Sequence, residues 1–139
     1  MNKFLPLLVF TYFIHANEVQ FNSIDEYKDG TLNISFNLEQ VAYINSYALE
    51  NPSRLVLEIN DAYSKQPINE IYNYPIKKIR SSQDNNLTRV VIDLYDHVFW
   101  HKPIQKQVDS GILMDIKLLK DKSLKENVIK TSEVQLLKL

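Results

Sequence analysis

Two eight-residue stretches of this chain match one another, and the match dictates a β-architecture. Arg54-Leu55-Val56-Leu57-Glu58-Ile59-Asn60-Asp61 recurs 35 positions later as Arg89-Val90-Val91-Ile92-Asp93-Leu94-Tyr95-Asp96. Each aligned pair is identical or chemically similar except Asn60 against Tyr95, and Pro67-Ile68 answers Pro103-Ile104 at an offset of 36. Two copies are too few for a solenoid, which needs three or more repeats to stack. They suit a pseudo-symmetric sandwich in which each half supplies one sheet and hides its apolar face against the other.

The remaining pattern agrees. Past residue 17 the apolar residues recur mainly with period two, the mark of half-buried strands. Thr31–Leu38 alternates cleanly after the turn dipeptide Asp29-Gly30, and Val19 and Phe21 open an earlier strand able to pair across that turn. Runs at Arg54–Ile59, Arg89–Leu94 and Ile112–Leu118 are separated by Asn51-Pro52-Ser53, Asp84-Asn85-Asn86 and Asp109-Ser110-Gly111. Gly30 and Gly111 are the only glycines, so Asn and Asp are expected to supply most turns, since both tolerate left-handed backbone angles. The fold expected is all-β: one sandwich of two roughly four-stranded sheets over residues 17–119, with a C-terminal tail or short helix over 120–139. The best helical stretch is Leu124–Lys130, where Ser123 and Glu126 suit a capping box.

The N-terminus reads as a separate element. Met1-Asn2-Lys3 is a short basic start, Phe4 to Ile14 is an apolar run, and His15-Ala16 closes it. That order matches a secretory signal peptide, residues 1–16, cut after Ala16. Eleven residues are too few for a helical membrane span, which needs about 20. The chain that remains is expected to be exported, with no stable membrane span.

Composition removes whole classes of function. With no cysteine in 139 residues there is no disulfide framework, thiolate zinc site or cysteine nucleophile. Two isolated glycines exclude a glycine-rich phosphate loop. A formal net charge of −1 argues against a nucleic-acid partner.

The repeat also carries a family resemblance. Asn51-Pro52-Ser53-Arg54-Leu55-Val56-Leu57-Glu58-Ile59 resembles the "NPxRLVxDL" stretch of the AMIN domain, the N-terminal module of bacterial N-acetylmuramoyl-L-alanine amidases that occurs also in type IV pilus secretins. Ile79-Arg80-Ser81-Ser82-Gln83, followed by Thr88-Arg89-Val90-Val91-Ile92-Asp93-Leu94, is similar to its second signature, and the resemblance spans about residues 18–119. Glu58 stands where the family usually has Asp. Ser82 stands where the amidases commonly have Gly, which predicts an altered turn, because glycine alone reaches positive φ freely. The resemblance implies a symmetric sandwich that binds peptidoglycan in the periplasm of a Gram-negative bacterium. Two alternatives accompany it: a protein–protein docking module of an envelope assembly, or the N-terminal part of a zinc amidase.

Candidate residues follow from chemistry. Arg54 and Arg89, equivalent in the repeat, either donate forked hydrogen bonds to stem-peptide or lactyl carboxylates or lock the sheet by pairing with Glu58 or Asp93. Arg80, Ser81, Ser82 and Gln83, beside Asn85, read as a polar loop facing the glycan, or as a merely solvated hairpin. Tyr63, Tyr72, Tyr74, Tyr95 and Trp100 have faces suited to sugar rings. Most are expected in the core, with Tyr72 and Tyr74, next to Pro75, the more exposed pair. His97 and His101 are four apart in a β-rich stretch, about 13 Å along a strand, so no metal site is expected. No nucleophile turn accompanies them; neither catalysis nor a cofactor is expected.

Overall fold

Each alternating run becomes a strand. The structure is a computed structural model that describes residues 3–4, 6–7 and 17–119. The rest of the expected leader and the segment 120–139, with the helix expected at Leu124–Lys130, lie outside the described residues. Eleven strands occur among the described residues: β1 (Asn17–Glu26), β2 (Leu32–Leu38), β3 (Ile44–Leu49), β4 (Arg54–Asn60), β5 (Ala62–Tyr63), β6 (Asn69–Ile71), β7 (Ile76–Asp84), β8 (Leu87–Leu94), β9 (Phe99–Trp100), β10 (Ile104–Val108) and β11 (Gly111–Leu119).

They form two sheets. One runs β10-β11-β2-β1-β5, with β9 pairing β11; the other runs β3-β4-β8-β7-β6. The three shortest strands, β5, β6 and β9, sit at their margins, so each sheet is built on four long strands, as the alternation predicts. The inner faces meet through Leu32, Ile34 and Phe36 of β2, Met114, Ile116 and Leu118 of β11, Leu55, Leu57 and Ile59 of β4, and Val90 and Ile92 of β8, all 2% exposed or less. Burying a side chain of this size contributes roughly 1.5–3 kcal/mol each, which makes this double layer the main source of stability.

The repeat does not divide as the pattern suggests. Its two copies form β4 and β8, which are neighbours in the same sheet, antiparallel, with Val56 opposite Val91. Each half therefore supplies a hairpin to both sheets: β1–β2 and β3–β4 from the first, β7–β8 and β10–β11 from the second. Each copy has Arg at one end and an acid further along, and the antiparallel register places Arg54 across from Asp93 and Arg89 across from Glu58, of which only the second pair makes contact.

Turn chemistry follows expectation. Asn51, Asp61 and Asn85 have φ of 58°, 51° and 53°, in the left-handed region. Gly111 is irreplaceable on two counts: its φ is 138°, and a Cβ there would meet the Leu38 carbonyl oxygen at 2.7 Å. At the start of β1 the buried Asn17 ties down the segment after β2. Its Oδ1 accepts from the amides of Glu39 (2.8 Å) and Gln40 (3.2 Å), and its Nδ2 donates to the Gln40 carbonyl at 2.7 Å.

Candidate functional site

Directly opposed residues of antiparallel strands share a face, so the register of the five-stranded sheet sets out its outer surface. One row reads Leu49, Arg54, Asp93, Lys78, Ile71; the next Tyr47, Val56, Val91, Arg80, Asn69; a third Asn45, Glu58, Arg89, Ser82. Four expected site residues, Arg54, Arg80, Ser82 and Arg89, thus lie on one face. Val56 and Val91 at its centre are only 3% and 6% exposed although they point away from the core, because the long side chains around them cover them.

The guanidinium groups are not equivalent. Arg89 Nη2 donates to Glu58 Oε2 at 3.0 Å, with Asp84 at 3.9 Å; this is the sheet-locking alternative. Asp93 is taken by Arg80, not Arg54, through a two-pronged contact of 2.8 and 3.3 Å. Hydrogen bonding to Asp93 and to Glu58 raises the pKa of Arg80 and of Arg89, respectively, above the ordinary arginine value. Arg54 Nη1 reaches only the Pro52 carbonyl, at 3.4 Å, and no carboxylate pairs with Arg54 or Lys78 among the described residues. The repeat symmetry is broken at this point: Arg80 from β7 occupies the carboxylate that faces Arg54, leaving Arg54 with donors to offer.

The structure also corrects the expected loop. Arg80 to Gln83 lie within β7, and only Asn85 is in the turn beyond it. Strand alternation splits the group. Ser81 turns the other way, where its Oγ accepts from the Ile68 amide at 2.7 Å. Gln83 donates to the carbonyls of Ala62 (2.8 Å) and Asn85 (3.0 Å) and accepts from the Thr88 hydroxyl at 3.0 Å. Ser82 sits opposite Arg89 in regular strand pairing, so no turn is altered there.

The two tyrosines separate similarly. Tyr72 is partly buried and packs against the core rather than standing exposed. Tyr74 is exposed, its hydroxyl donates to Asp96 at 3.0 Å, and its ring lies 6.1 Å from that of Tyr95 at 34°. Tyr95, two residues beyond Asp93, is 53% exposed with Lys77 Nζ 5.2 Å from its ring centre. These contacts hold two aromatic faces in place at the end of the arginine-bearing surface. From Arg89 to Tyr95 the surface runs about 20 Å at strand spacing.

His97 Nδ1 lies 3.0 Å from Glu50 Oε1, and Glu50 is held below the ordinary carboxylate value by hydrogen bonds from Ser53 and His97. Among the described residues no group of three or more His, Asp or Glu side chains suits a metal. An open cleft of about 480 Å³ near β1, lined by Glu18, Gln20, Lys65 and Glu70 among others, contains none of the expected binding residues. Sequence reasoning missed Tyr47, Lys77 and Lys78. Tyr47 belongs to β3, whose Ile44–Leu49 does not alternate cleanly enough to announce a strand.

The described residues form a two-sheet, all-β sandwich whose five-stranded sheet carries arginine, lysine and tyrosine side chains on its outer face. The AMIN-domain profile matches residues 19–116, and the chain belongs to the AMIN-domain family. The AMIN domain is a non-catalytic module known from amidases and secretins, where it serves in peptidoglycan binding and targeting. No curated protein matches the sequence. No helix among the described residues is long and apolar enough to cross a membrane.

Proposed function

We propose that this chain is a peptidoglycan-binding module, exported to the periplasm through a cleaved leader of residues 1–16, and that it binds through the outer face of the five-stranded sheet. The observation that carries this reading is the row Arg54-Asp93-Lys78, where two cations flank an aspartate already satisfied by Arg80. Both keep donors available for an incoming carboxylate, which the stem peptides and muramic lactyl groups of the wall supply in a repeating array. Tyr95 and Tyr74 offer stacking faces for the sugars at the end of the same surface. Each contact is modest, and retention comes from many identical sites along the polymer.

Co-sedimentation with purified sacculi tests the reading. Wild-type chain is expected in the pellet, with Arg54→Ala and Tyr95→Ala each weakening binding about tenfold, the size of one lost charge-assisted bond or ring contact. Wild-type protein remaining in the supernatant, or both variants pelleting like wild type, would overturn it.

A further inference from the structure

Natural sheet edges avoid unwanted pairing by being short, charged, bulged or covered. Three strands along the margins of the sheets obey that rule. β5 has two residues, β6 has three including Glu70, and β10 carries Lys106. β3 does not. Its six residues, Ile44-Asn45-Ser46-Tyr47-Ala48-Leu49, contain no charge, proline or glycine, and its register with β4 runs without a bulge.

The direction of its backbone groups is known from one bond. The Tyr43 carbonyl accepts from the Asn60 amide at 3.0 Å, so residues 43, 45, 47 and 49 bond toward β4, and the groups of the even-numbered residues point outward. The first of these outward pairs is capped. Both the amide and the carbonyl of Ala42 are met by the side chain of Gln105, at 2.9 and 2.8 Å. The cap ends there: among the described residues, no hydrogen bond reaches the outward groups of Ile44, Ser46 or Ala48.

We propose that this edge pairs with β3 of a second copy of the chain, antiparallel about a two-fold axis at Ser46. In that register Ser46 faces Ser46 and Ile44 faces Ala48 of the other copy, so every outward group of the edge gains a partner. The same register sets Tyr43 against Leu49 of the second copy. Both are exposed apolar residues, 76% and 37%, and each would cover the other on the outer side. No like charges meet, because the strand has none. A single uncharged segment with matching apolar ends is what an isologous two-fold contact requires.

The axis stands perpendicular to the sheet, so the two outer faces lie side by side and point the same way. This part rests on the peptidoglycan reading: the dimer presents two Arg54–Tyr95 surfaces to one repeating polymer, which multiplies retention without a new contact.

Light scattering and sedimentation of the purified chain test the pairing, with Ser46→Pro and Ser46→Lys as variants. Proline at 46 removes an outward amide only, leaving the bonds to β4 intact. Lysine at 46 sets two ammonium groups opposite each other at the axis. Twice the monomer mass for wild type, and the monomer mass for both variants with thermal unfolding retained, is the expected result. Wild type at the monomer mass throughout, or a dimer that survives both substitutions, would overturn the proposal. Sacculus binding by Arg54→Ala, in which β3 is intact, judges the wall reading separately.

Discussion

The two sheets of this sandwich share a core but spend their outer polar groups differently. On the six-stranded sheet the outward residues bond to one another. Asn33 Nδ2 donates to Ser35 Oγ at 3.2 Å, Ser35 donates to Asp115 Oδ1 at 2.6 Å, and Lys106 sits 3.5 Å from the other oxygen of Asp115. Asn33, Ser35 and Asp115 are all buried. On the five-stranded sheet the corresponding layer is made of long cations whose heads stay wet, and Arg54 and Lys78 have no carboxylate partner among the described residues. Short polar side chains bond to one another within the buried layer, with only Asn33 Oδ1 of this group left without a partner, whereas long ones cover their apolar neighbours and leave their charge facing outward. The first layer is turned inward on its own hydrogen bonds; the second is the one to which we assign recognition.

The largest effect should be common to both sheets. Ile92 is fully buried between them, and Ile92→Ala is expected to cost about 2–5 kcal/mol in denaturant unfolding, the range for emptying a well-packed aliphatic site. A loss well below that range, or two separate unfolding transitions, would mean that the layers are not one cooperative core.

A smaller effect should separate the sheets. Ser35→Ala removes the middle of the buried network and leaves Asp115 Oδ1 short of its donor, a cost of about 1–3 kcal/mol. Arg54→Ala, on the other outer face, should change stability by no more than about 0.5 kcal/mol while weakening wall binding. Equal stability losses for the two would erase the distinction between the faces.

The smallest expected effect concerns the turn between β3 and β4. Glu50 is held below its ordinary value of 4.5, first by Ser53 and then by His97. A depressed carboxylate contributes stability that is present above its unfolded value and lost as pH falls through the folded one. Acid unfolding should therefore be slightly less steep for Glu50→Gln than for wild type, and the effect is small because the group is exposed.

Much of the fold was legible in alternation. β2, β4, β8 and β11 appear within a residue or two of the runs that predict them, because each buries an unbroken period-two face. The turns at Asn51 and Asn85 were equally legible, since so few glycines leave Asn and Asp to take the left-handed positions. The loop read at Arg80–Gln83 was not a loop: four consecutive polar residues look like a turn, yet Ser81 and Gln83 are satisfied inward by Ile68 and Ala62, partners far away in sequence. β3 was missed for a related reason. An edge strand is half-wet on both faces, so its pattern is blurred.

By itself, the sequence determined a single β-sandwich with a duplicated Arg-to-acid strand, turns made by Asn and Asp, and the family to which it belongs. Those properties are local, written in period, spacing and residue type. Only the tertiary structure decided that the duplicated strands lie side by side in one sheet, that Arg80 rather than Arg54 claims Asp93, and that Tyr95 joins Tyr74 at the end of the same face. These choices depend on which strand becomes whose neighbour, and the competition of two arginines for one carboxylate is settled only when three strands meet.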